Sequence, residues 1–325
     1  MTRVNKAYLF FIIFTVIYFG SSFLLALVPN LYSLDMMVYN IIGQLVMFIP
    51  LIIICLAITK ETPKSVLMTN RVSIMDILLS IALAIAIEPA MTLLSMLSTL
   101  VTPNVVSEYL YESAESPLIY SIIAVAVIPA LFEELFFRGI IFSQLKNVSL
   151  KKACIIAGLL FGLGHFSFQQ FLYAFAMGVL ACAVVYRTKS IFPTMILHFT
   201  INFSQLMLSR VDYNEITDGM TNTLGSAAAA ADISVSQMIL PYVLLTAISI
   251  PIIALIIRFM GSKYGRASNK KCDLPMMIEE CPVIADESVF DYKPEKEFEE
   301  KIFTAPFFVI IIVYLALTVI TLLMI

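Results

Sequence analysis

Three short blocks of residues carry the chemistry of this chain, and both of its histidines belong to them. Glu133, Glu134 and Arg138 stand in the run FEELFFRG, Phe161 and His165 in FGLGH, and His198 and Asn202 in HFTIN. Each block interrupts a long apolar stretch, where a charge costs roughly 2.5–3.5 kcal/mol at the centre of a bilayer. Residues four apart share one face of a helix. Glu134 and Arg138 therefore pair, with the acid on the favourable N-terminal side, and His198 and Asn202 point together. Glu133 is turned about 100° from Glu134 by the 3.6-residue repeat. One arginine cannot neutralise two carboxylates in a low dielectric, so Glu134 is assigned to the pair and Glu133 is left free. A free Glu, two His and an Asn suit attack of water on a peptide carbonyl. The Glu takes a proton from water, one His helps to hold that water, and His198 with Asn202 stabilises the oxyanion. The same Glu133, His165 and His198 could make a catalytic zinc site with an open position. No H-E-x-x-H helix is present, and Asn202 suits an oxyanion better than zinc. The expectation is a site without cofactor, with zinc as the alternative.

The elements that must position these residues are transmembrane helices. Of 325 residues, 60% are hydrophobic and 13% charged, against about 25% charged in soluble domains. The excess is arranged in runs near 7–28, 37–59, 76–100, 118–143, 153–167, 169–187, 191–208, 238–260 and 305–325, most of them near the length of about 20 residues a bilayer demands. The runs lack the alternation of barrel strands, so the expected fold is an all-α polytopic bundle of about nine spans forming one integral membrane domain over 1–325. Lys and Arg fall in every second loop: Arg3 and Lys6; Lys60, Lys64 and Arg71; Lys146, Lys151 and Lys152; Arg187 and Lys189; then Arg258 to Lys271. The other loops carry Asp35, Glu108, Glu112 and Glu115, with Arg210 the exception. This alternation places the N-terminus in the cytoplasm and the C-terminus outside. The first run is too long for a signal-peptide core and reads as a retained span. Residues 210–237 read as an external loop, and the charged segment 261–304 as a cytoplasmic one. A net charge of −3 gives no reason to expect a nucleic-acid partner. Cys55, Cys154 and Cys182 lie in apolar runs, and Cys272 and Cys281 fit no metal spacing, so no disulfide framework is expected.

In order and spacing, the blocks resemble the signature of the CPBP intramembrane proteases, also called the abortive-infection (ABI) family, which includes the type II CAAX prenyl proteases. That signature is E-E-x-x-x-R, then F-x-x-x-H, then H-x-x-x-N or H-x-x-x-D. Glu133, Glu134 and Arg138 match the first block, Phe161 and His165 the second, His198 and Asn202 the third. The resemblance covers roughly 118–205, the expected catalytic core. It implies that Glu133 activates water, His165 assists, and His198 and Asn202 bind the oxyanion, and it favours a mechanism without metal. It also implies a membrane-associated peptide or protein substrate, prenylated or a peptide precursor, and a bilayer as the other partner. The short loops suggest a bacterial plasma membrane.

Plainer roles compete with these. A membrane histidine is often a packing hydrogen-bonder, but here both fall inside a matched signature. Glu88, before Pro89, lies outside the signature and is expected to pair with Arg138 or another polar group, or to gate the cavity. Gln44 and Gln205 read as packing polars, Phe136 and Phe137 as lipid-facing or core, and Gly158, Gly162 and Gly164 as points of close helix approach. A non-catalytic immunity or adaptor protein on the same scaffold would show a broken signature, and this one is complete. A transporter would show an inverted repeat of broken helices, and none is found.

Overall fold

The computed structural model describes residues 1–215, 235–261 and 300–324. The expected loops at 210–237 and 261–304 fall largely outside the described residues, as do Cys272 and Cys281. All regular structure among the described residues is helical. In chain order the helices are α1 (Arg3–Ala26), α2 (Met36–Thr59), α3 (Pro63–Leu67), α4 (Ile74–Thr99), α5 (Val105–Glu112), α6 (Leu118–Ile141), α7 (Leu150–Leu163), α8 (Phe168–Thr188), α9 (Phe192–Glu215), α10 (Val235–Phe259) and α11 (Ala305–Met324). Every expected run carries a helix. Among the described residues six helices, α1, α2, α4, α6, α8 and most of α10, are long and apolar enough to cross a membrane. Their outer faces expose Val16, Phe23, Ile53, Ile85 and Ile248, as a lipid-facing surface requires.

Three of the nine expected spans fall outside this set: α11, whose apolar stretch among the described residues is the shorter Ala305–Val319, and α7 and α9. The run 153–167 was expected to hold His165 inside a helix. Instead α7 has 14 residues and stops at Leu163, and at about 1.5 Å per residue it reaches only about 21 Å. Gly162 and Gly164 weaken the helix there, Phe166 takes a left-handed φ of 48°, and the chain turns into α8. His165 thus sits on a half-buried turn. The helix α9 is long enough to span, but His198, Asn202, Ser204 and Gln205 dilute its apolar character because it carries part of the site.

Polar contacts sort the loops to two ends of the bundle. At one end, Arg3 and Lys146 both reach Glu61, at 2.9 and 3.6 Å. The Glu300 carboxylate accepts from the Arg3 and Val4 N–H groups at 3.2 and 2.9 Å and from the Asn147 amide at 2.8 Å. The first two are unpaired donors of the α1 N-terminus, where a carboxylate is favoured. Burial works against the charged form of Glu300, but these hydrogen bonds prevail and hold its carboxyl below the usual carboxylate range. Arg187 caps the α10 carbonyls of Ile257 and Arg258, and the Asp76 carboxylate, at the start of α4, accepts from Gly261 N–H. The basic segments thus share one end, as their alternation along the chain demands. At the other end Arg210, the exception in charge pattern, donates to the carbonyls of Ser113 and Ser116 and to the Ser121 hydroxyl. Its role is to close the carbonyls of the α5–α6 connection.

The hairpin that presents His165 is held by glycine contact. A Cβ on Gly178 of α8 would stand 2.7 Å from the Gly158 Cα of α7, and one on Gly158 would stand 2.6 Å from Val179. These backbones touch, which in lipid is a main source of helix association. Gly178→Leu should therefore force the two helices apart. We expect a lower thermal midpoint in detergent, with a cost of about 1–3 kcal/mol typical of overpacking. Gly20→Leu is the control, since nothing stands within 4 Å of that position. Equal midpoints for both variants would remove the contact as a determinant of the hairpin.

Candidate active site

Helix α6 supplies the carboxylates and is not a regular helix. Its residues Ile122–Val127 and Glu134–Ile141 follow the wider i→i+5 hydrogen-bond pattern. The cause of the first stretch can be read from Pro129. The Ile128 N–H bonds Ile123 O, so Ala124 O loses its α-helical donor, and its i+5 neighbour is Pro129, which has no N–H. Val125 O loses its donor for the same reason, four residues before the proline. Two side chains from other helices replace them: Gln44 Nε2 donates to Ala124 O at 2.8 Å, and Asn202 Nδ2 to Val125 O at 2.9 Å. A carbonyl only accepts, so the contact fixes the Asn202 amide with its nitrogen toward α6. Its second N–H is not used by that bond.

The second stretch buries an ionic cluster. Glu134 is fully buried and Arg138 is 1% exposed. Their side chains meet at 3.0 Å, and the guanidinium lies over the Phe161 ring at 4.0 Å, a cation–π contact. The same Glu134 oxygen receives His198 Nδ1 at 2.9 Å. A carboxylate is an acceptor, so the proton is on Nδ1 and Nε2 is the ring nitrogen left to other partners. His165 is fixed in the same way, with Nδ1 2.9 Å from Phe161 O. Glu133 takes no part in the ion pair. Its Oε2 is shielded from solvent and has no hydrogen-bond partner among the described residues.

Glu133, His165, His198 and Asn202 line one cavity of about 590 Å³, within the range of about 300–1,000 Å³ usual for ligand sites. The structure thus brings together the four residues assigned to chemistry, and keeps Glu134 and Arg138 behind them. Phe136 and Phe137 are core, and Phe137 also lines the cavity. Glu88 accepts from Ser204 and Gln205 at 2.8 and 2.7 Å rather than pairing with Arg138. Gln44 and Gln205 were expected only to pack, yet both reach the cavity wall, as do Ser95, Asn104, Gln170 and Tyr173, which no motif marked. The Pro129 position was the available signal for Gln44, since it announces orphaned carbonyls that a polar neighbour must satisfy. No group of three His, Cys, Asp or Glu among the described residues converges as a metal site requires. Glu133, His165 and His198 share the cavity without forming such a group, and no step is assigned to zinc.

The buried cluster makes a prediction about stability. Arg138→Ala leaves the Glu134 carboxylate without its cation, a loss of about 3–5 kcal/mol for a broken buried pair. Membrane abundance should fall well below that of the parent. Removing both charges in Glu134→Gln/Arg138→Met should recover abundance relative to Arg138→Ala, while leaving His198 without its carboxylate. Parental abundance and thermal midpoint in Arg138→Ala would show that the pair is not needed.

Comparison with known proteins agrees with this geometry. Residues 115–204 match the family model described as "Type II CAAX prenyl endopeptidase Rce1-like". No curated protein and no solved structure matches the chain. The matched segment begins just before α6 and ends at Ser204, and so contains all three blocks and every residue of the ionic cluster. Through the segment that builds its cavity, residues 115–204, the chain is similar to the type II CAAX prenyl endopeptidases.

Proposed function

We propose that this protein is an intramembrane endopeptidase that hydrolyses a peptide bond of a membrane-associated substrate by means of a glutamate-activated water. The observation that carries the reading is the cavity itself: Glu133, with a shielded carboxylate oxygen in need of a donor, faces the same space as two histidines of fixed tautomer and an amide anchored on α6. The family match supports endopeptidase activity of the CAAX type in general. In this reading Glu133 accepts a proton as the water oxygen attacks the scissile carbonyl carbon. His165 Nε2 takes a hydrogen bond from the same water. The spare N–H of Asn202 donates to the oxyanion. His198 joins it there when both of its ring nitrogens are protonated. Collapse of the tetrahedral species breaks the C–N bond, and Glu133 returns its proton to the departing amine. The Glu134–Arg138 pair positions His198 and does not touch the substrate. No metal enters this scheme. The N-terminus and the basic end of the bundle face the cytoplasm, and a bacterial plasma membrane is the proposed location.

The test uses purified full-length protein in detergent with a library of quenched peptides. Glu133→Gln should abolish cleavage and leave membrane abundance unchanged, because Gln keeps the size and polarity of the side chain but cannot take the proton. Asn202→Ala should lower kcat by about 10²–10³, the loss measured for one oxyanion donor in a hydrolase. A strong chelator should leave the parent active. Full activity in Glu133→Gln would remove it as the base, and activity lost to chelator and restored by Zn²⁺ would replace the water-activating step with a metal-assisted one.

A further inference from the structure

Granted the proteolytic reading of the cavity, we infer that its substrate is an internal, uncharged stretch of peptide that enters from the extracytoplasmic end of the bundle, not a chain presenting a free C-terminal carboxylate at the cytoplasmic face.

Direction comes from which part of each helix lines the cavity. Helix α2 runs toward the basic end and contributes only its first half, with Asn40 and Gln44. Helix α4 runs away from the basic end and contributes only its last third, with Ser95 and Thr99. Helix α8 again starts at the far end and contributes only its first half, beginning at Gln170. The short α7 lends just its C-terminal end and the turn with His165. Helices α2, α4, α7 and α8 therefore give the part that lies away from Arg3, Lys64, Lys152 and Arg187, while α6 and α9, which carry the catalytic residues, line the cavity nearer mid-height with Glu133 and His198. Beyond those parts, the cavity wall continues to Asn104 and Ser107 at the start of α5, both exposed. Below the catalytic level, toward the basic end, the core is closed by Phe136, Ile140, Ile141 and Leu145, all fully buried. By the bias of Lys and Arg toward the cytoplasm, the open end is extracytoplasmic.

The chemical class of the substrate comes from the charges. Among the described lining residues there is no Lys and no Arg, and Glu133 is the only acid. The sole buried guanidinium nearby, Arg138, is held by Glu134 behind the wall. A terminal carboxylate close to the scissile bond would meet Glu133 with no Lys or Arg in the wall to pair with it. The wall offers amides and hydroxyls instead, from Asn40, Gln44, Ser95, Asn104 and Gln170, which suit the N–H and C=O groups of an extended backbone. Exposed Glu108 and Glu112 stand on α5, the helix whose Ser107 and Tyr109 line the cavity, and add negative charge at that end.

Two measurements test this. In a background lacking the five native cysteines, Ser107→Cys should react with a membrane-impermeant maleimide in intact cells, whereas Lys152→Cys should react only after permeabilisation. The reverse pattern overturns the direction. For the parent protein in detergent, peptides with amidated C-termini should be cut internally at least as fast as the same peptides with free carboxylates. Release of a short C-terminal fragment that slows tenfold or more on amidation overturns the substrate class. Absence of any cleavage by the parent, or cleavage undiminished in Glu133→Gln, would instead sink the proteolytic reading, and the labelling would still decide to which side the cavity opens.

Discussion

One carboxylate oxygen, Glu134 Oε1, organises the centre of this protein. It is fully buried, and it is met by the Arg138 guanidinium at 3.0 Å and by His198 Nδ1 at 2.9 Å. A lone charge there would be prohibitive, and a pair without further partners would be only marginal. Sharing one oxygen between a cation from its own helix and an imidazole from another solves both problems. It offsets the charge of the acid, and it ties α9 to α6 at the level of the site. Phe161 adds the third element by lying flat against the guanidinium, while its carbonyl fixes His165. The three sequence blocks are thus one physical unit: the acid–base pair of the first is clamped by the aromatic ring of the second and the imidazole of the third. Glu133, one residue from this cluster, is the carboxylate the cluster does not use.

The irregular backbone of the first half of α6, Ile122–Val127, is the second constraint, and it follows from a single residue. Pro129 withdraws one N–H, and the helix widens around the gap, leaving two carbonyls that must be satisfied inside a membrane where water cannot reach the lipid face. Gln44 and Asn202 satisfy them. A lone defect in α6 therefore fixes the orientation of an amide on α9 and of another on α2. It also explains why polar side chains survive in helices that otherwise face hydrocarbon: each has a backbone partner whose own partner is missing.

How much of this was legible beforehand depends on whether a contact is local. The Glu134–Arg138 pair could be read because four residues is one helical turn, and the helices themselves because apolar runs of bilayer length have few other folds. The charge alternation also survives, since the basic segments meet at one end through Glu61, Glu300 and Asp76. Contacts between helices were not legible. Nothing in HFTIN says that His198 turns to Glu134 while Asn202 turns to Val125, because the two residues share a face but their partners stand at different heights on α6. His165 was expected within a helix because FGLGHFSF is apolar; its two glycines and the serine after it were the sign of a turn. For Glu88 the sequence left Arg138, another polar group or a gating role open, and two neutral donors on α9 hold it.

The shortness of α7 links these points to activity. A helix of 14 residues that ends at a half-buried turn brings His165 to the cavity instead of carrying it on to the opposite surface. The α7–α8 hairpin can stop there only because glycines let its arms touch, and because the space above the turn is lined by amides and hydroxyls rather than left as bare apolar wall. A full-length span in the same place would fill that space with side chains and remove the cavity. Hydrolysis inside a membrane needs water and a peptide bond to reach a carboxylate without exposing that carboxylate to lipid. The short α7 arm of the hairpin meets the first need by leaving the polar space open at one end. The ionic cluster and the packed aromatic floor meet the second by sealing the other.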